Sequence, residues 1–95
     1  MSDNPRHREA LIETAKLELD RAHFAATTMA GGEVRRGLTL ALSAFREMVG
    51  LDENDAASFK DIISGLEQAQ ADLDNGQLAE MERLIENART KLNAG

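Results

Sequence analysis

The stretch DENDAASFKDIISGLEQAQADLDNGQLAEMERLIENARTKL, residues 52–92, decides how the rest of the chain is read. Before Asp74-Asn75-Gly76, the residues Phe59, Ile62, Leu66, Ala69 and Leu73 recur at steps of three and four. After it, Leu78, Met81, Ile85, Ala88 and Leu92 do the same. Steps of this kind place side chains on one face of a helix. Asn75-Gly76 supplies a left-handed C-terminal cap, so the spacing predicts two antiparallel helices joined by almost no loop. A two-helix hairpin leaves the outer edges of its stripes, Ile63 and Leu84, in water. The N-terminal half is therefore required to cover them.

That half repeats the pattern. Pro5 suits the first position of a helix capped by Asp3 or Asn4. From there Ile12, Ala15, Leu19, Ala22, Ala26 and Met29 form an unbroken stripe. Three of its positions are alanine, which predicts close backbone approach to a neighbour. Thr27 and Thr28 weaken this helix, and Gly31-Gly32 is expected to end it, because paired glycines cost about 2 kcal/mol in a helix interior. Glu33 suits the positive end of a second helix, carried by Val34, Leu38, Ala41, Phe45 and Met48 and widened by Leu42 and Val49. Gly50 is its expected end, Leu51 a clasp back onto it, and Asp52 or Asp55 the cap of the third helix.

The expected fold is an all-α, small four-helix up-down bundle that dimerisation can complete or extend, forming a single domain over residues 1–95. Its helices are expected at roughly 5–30, 33–49, 53–74 and 77–93. If the double glycine only bends the chain, the alternative is one long first helix and a bundle assembled from two chains. One local rule is broken: Asp72 and Asp74 sit at a helix C-terminus, where the macrodipole disfavours negative charge.

Composition narrows function more than it defines it. The net charge is −6, and it is unevenly spread. Seven basic and seven acidic side chains balance over residues 1–50, whereas four basic and ten acidic ones follow. An acidic C-terminal half disfavours DNA or an anionic membrane as partner, and three Phe without Trp or Tyr offer no stacking platform for nucleic acid. With no cysteine, thiolate chemistry, disulfides and Cys-based metal sites are excluded. No signal peptide or membrane-spanning run is read from the sequence, which leads to the expectation of a cytoplasmic protein.

His23 is the most suggestive single residue, at the edge of the alanine stripe. Histidine phosphotransfer domains carry their phosphoacceptor in such a place on a four-helix bundle, which makes His23 the alternative phosphoacceptor. Those domains follow the histidine with Lys and Gly, where this chain has Ala26 and Thr27. Asp20 precedes His23 by three residues, a spacing for two metal ligands on one helical face, but His7 supplies no second copy. Neither metal nor cofactor is expected, and no catalytic residue is assigned.

Ala10, Leu17 and Phe24 give the stronger lead. They repeat every seventh residue on the face of the first helix opposite its core stripe. A second apolar seam predicts contact with another chain. The function read from the sequence is therefore a non-enzymatic interaction or regulatory module with a protein partner, in the first place itself as a homo-oligomer, and with no small-molecule substrate.

Overall fold

A computed structural model describes residues 3–51 and 53–94, with side chains described for residues 6–51 and 54–93. Four helices follow one another: α1 (Asp3–Thr27), α2 (Gly31–Leu51), α3 (Glu53–Asp74) and α4 (Leu78–Ala94). Each packs on the next and α4 closes the ring on α1, while the backbones of the diagonal pairs stay apart and α1 reaches α3 only through side chains. This is a small all-α, up-down-up-down four-helix bundle. Its longest extent, 44 Å, follows from α1, whose 25 residues span roughly 37 Å at 1.5 Å per residue. No helix among the described residues is long and apolar enough to cross a membrane.

The stripes converge on one core. Ala15, Leu19 and Ala22 of α1 meet Val34, Leu38, Ala41, Phe45 and Met48 of α2, with Ile62, Leu66 and Ala69 of α3 and Met81, Ile85 and Ala88 of α4, all buried. Ile63 and Leu84, the edges that a hairpin alone would leave wet, are half-buried against this cluster. Phe45 and Phe59 tie α2 to α3 with ring centroids 5.2 Å apart and planes tilted by 52°, a favourable aromatic geometry. The α1–α2 pair is the most intimate. A Cβ built at Gly37 would lie 2.9 Å from both the Ala22 Cβ and the Glu18 carbonyl oxygen, so only glycine lets the two backbones meet there. The alanine stripe points to such closeness; its glycine counterpart on α2 falls outside the apolar spacing.

Several boundary expectations need correction. The chain leaves α1 at Thr27, and the residue in the left-handed region is Met29, with φ 60°, not a glycine. The Ala30 N–H donates to the Ala25 carbonyl at 2.8 Å and the Met29 N–H to that of Ala26 at 3.2 Å, the paired bonds of a Schellman turn. Thr27 and Thr28 hydroxyls also donate to the Phe24 carbonyl at 2.7 and 3.2 Å, an oxygen that already accepts from the Thr28 N–H at 3.1 Å, the ordinary back-bonding of helical threonines. Met29 is consequently 78% exposed and leaves the core stripe. Gly31 and Gly32 form the first turn of α2, whose cap is Ala30: its carbonyl accepts from the Glu33 and Val34 N–H groups, each at 3.0 Å. A real turn at residues 28–30 excludes the single long helix.

Elsewhere α1 begins at Asp3, two residues before the expected start; its proposed capping side chains lie outside the described residues. α2 runs through Gly50 to Leu51, and Leu51 is 43% exposed, so it makes no clasp. Asp55 lies inside α3 and is no cap, while Asp52 lies outside the described residues. Leu78, assigned to the fourth stripe, is 41% exposed at the first residue of α4.

Candidate functional site

The outward face of α1 carries Ala10, Leu17 and Phe24, all exposed. Leu17 is 50% and Phe24 70% accessible, although a buried leucine or phenylalanine contributes about 1.5–3 kcal/mol. Their placement follows from the helix itself. Ala15, Leu19 and Ala22 face the core, and positions two residues away point about 200° round the axis. The seam therefore exists because the inner stripe is satisfied without it. Around it stand Glu13, exposed and without an ion-pair partner among the described residues, and Arg21, whose Nη1 lies 3.4 Å from the buried Glu18.

His23 lies one face round, on the α1–α4 seam. Its Nε2 sits 3.1 Å from Glu86 Oε2. Arg89 joins the cluster from α4, donating from Nε to Asp20 Oδ1 and from Nη1 to Glu86 Oε2, each at 2.9 Å. Asp20 is thus held by an arginine, and no group of three or more potential ligands that could hold a metal ion occurs among the described residues. A phosphoryl group at His23 Nε2 would meet the Glu86 carboxylate, where transfer domains place a cation. His7 makes a similar contact on the other flank of α1, with Nε2 2.6 Å from Glu47 Oε2.

The third polar feature joins the two hairpins. Arg8 donates from Nε and Nη2 to both carboxylate oxygens of Asp55 at 2.8 Å, and its guanidinium carbon lies 6.0 Å over the Phe59 ring. Asp55 is buried, and its hydrogen bonds from Arg8 hold its pKa below the ordinary aspartate value against the opposing effect of burial. On α4, Glu80 titrates lower and Arg83 higher than usual because the two are hydrogen-bonded.

The two aspartates that break the dipole rule fare differently. Asp74 is paired with Arg35 of α2. Asp72 is buried; its Oδ1 accepts from Gln68 Nε2 at 3.0 Å, but its Oδ2 has no hydrogen-bond partner among the described residues. Ser58 donates to the Asn54 carbonyl one turn back at 3.2 Å, a common arrangement for a helical serine.

A cleft of about 460 Å³ opens between α1, α3 and α4, floored by Ile12, Phe59, Ile62 and Leu92 with Lys16 and Lys91 at its rim. Sequence reasoning did not find it, because its walls come from three helices remote in sequence. Compared with known protein families, with curated proteins and with solved structures, the chain shows no significant match.

Proposed function

We propose that this protein is a non-enzymatic interaction module that associates with a second copy of itself through the outward face of α1. The observation that carries this reading is the exposure of Leu17 and Phe24, two turns apart on the side away from a complete core. Isolated exposed apolar side chains are ordinary, but two large ones in register on one helix present a continuous strip to a partner. The net charge of −6 and the even charge balance of the N-terminal half suit a protein partner better than nucleic acid or an anionic membrane. A cytoplasmic location is part of the same proposal, supported by a chain without cysteine.

The test is a double substitution, Leu17→Glu with Phe24→Glu. Circular dichroism is expected to show unchanged helicity, and light scattering a mass that falls to that of one chain. A wild type already monomeric at tens of micromolar would remove self-association. Lost helicity would show that both residues belong to the fold and not to an interface.

A further inference from the structure

The geometry points to a specific mode for that contact: two α1 helices packed antiparallel about a two-fold axis that passes through Leu17. This rests on the self-association reading and adds its register. An antiparallel two-fold sets each residue opposite the one equally far on the other side of the axis. Centred on Leu17, it places Leu17 against its own copy and Phe24 against Ala10, seven residues to either side. The large ring then lies over the smallest side chain of the seam, twice. Glu13 and Arg21, four residues to either side, also fall opposite each other, twice. Asp20 meets Thr14, so no like charges face across the pair.

The chemistry at these positions selects the arrangement. A parallel pairing puts Phe24 level with Phe24 and Ala10 level with Ala10, leaving one end of the seam crowded and the other empty. Antiparallel pairing levels both ends. It also uses groups that the monomer leaves available. Glu13 is exposed and has no ion-pair partner among the described residues. Arg21 is 65% exposed and touches Glu18 through one nitrogen only, while a guanidinium has five N–H donors. The face is continuous, because α2 and α4 flank α1 on either side of its inward stripe through His7–Glu47 and Arg89–Asp20 and leave the outer face uncovered.

The experiment is a charge exchange read by sedimentation velocity. Glu13→Arg alone sets arginine against arginine at both contacts, and Arg21→Glu alone sets glutamate against glutamate. Each variant is expected to weaken association roughly tenfold, since two favourable surface pairs become two repulsive ones. Mixing the two variants brings arginine opposite glutamate at both contacts and is expected to restore pairing. The double variant carrying both exchanges in one chain should pair like the wild type. Arg21→Glu also puts a like charge near Glu18, so helicity is checked by circular dichroism, and Glu13→Arg, which breaks no pair within the chain, provides the cleaner arm.

A wild type that stays monomeric overturns the self-association reading and this mode with it. A wild-type dimer indifferent to both single exchanges overturns the antiparallel register alone. Single variants that weaken the dimer but fail to recover on mixing also overturn it, since they would place Glu13 and Arg21 near the contact but not opposite each other.

Discussion

The chain reverses at Met29 and again at Gly76, and the two turns are built from the same hydrogen bonds. At the first, Ala30 and Met29 donate back to Ala25 and Ala26; at the second, Gln77 donates to Asp72 at 2.7 Å and Gly76 to Leu73 at 3.3 Å. Both pivots are left-handed, with φ 60° at Met29 and φ 77° at Gly76. One is the residue that adopts this conformation freely, and the other is a long side chain for which it costs about 1–2 kcal/mol. The strained turn belongs to the hairpin whose helices approach most closely. Gly37 seats α2 on the Ala22 backbone. The Schellman hydrogen bonds, the same as at Gly76, offset the cost of the left-handed conformation at Met29. The second hairpin is joined by larger side chains, Leu66, Met81 and Ile85, and its turn residue agrees with its conformation.

This contrast is open to direct attack. The largest effect is expected in the second hairpin: Leu66→Ala and Ile85→Ala, both completely buried, should each destabilise by about 2–5 kcal/mol in urea denaturation. Unchanged midpoints would mean that the core does not rest on these side chains. Next comes a pair of opposite sign. Gly37→Ala forces a methyl against the Glu18 carbonyl and Ala22 and should cost about 1–3 kcal/mol. Gly65→Ala, on α3 with open space around its Cβ, should stabilise by about 0.5–1 kcal/mol through helix propensity. If both stabilise, the close approach of α1 and α2 is not what sets the first hairpin apart.

The turns themselves give a smaller, mirrored pair. Met29→Gly should raise stability by about 1 kcal/mol or less and Gly76→Ala lower it by a similar amount. Equal responses of the same sign in thermal melts would show that the two pivots are not equivalent after all.

The smallest effect concerns the Arg8–Asp55 bridge between the hairpins. Because Asp55 has a lowered pKa in the folded state, the bridge stabilises the fold above the unfolded aspartate value of about 3.9. That contribution is lost as the pH falls through the lower folded value. Asp55→Asn should therefore be less stable than the wild type at neutral pH and lose less on acidification. A wild type and variant whose stabilities run parallel from pH 7 to pH 2 would remove the bridge from the account.

Periodicity carried most of the architecture. Steps of three and four identified the helices and nearly all of their buried positions, because a helix turns by a fixed angle and the core sits on one side. Boundaries were less legible. Gly31-Gly32 resembles a helix stop in isolation, but α1 already ends in the backbone turn around Met29, and the glycines open α2 instead. Leu51 and Leu78 carry apolar side chains yet sit at helix ends, where the bundle has no neighbour to cover them.

For the candidate site the division is similar. The seam of Ala10, Leu17 and Phe24 is visible in sequence, since its spacing and that of the inner stripe lie on one helix and differ only in angle. The ion-pair partners are not. His23 with Glu86, Arg8 with Asp55 and Arg35 with Asp74 join residues far apart in the chain, and helix periodicity says nothing about which neighbour a given face meets. Asp72 and Asp74 show this most sharply: sequence marks both as misplaced at a helix end, and only the packing of α2 gives one of them a cation. Sequence alone determined the four helices and their inward and outward faces, because those depend on local angle and burial. The order of contacts around the ring, the close seat of Gly37 on Ala22 and the choice of partner for each charge were decided by tertiary structure, because they depend on distances between segments that the chain brings together only on folding.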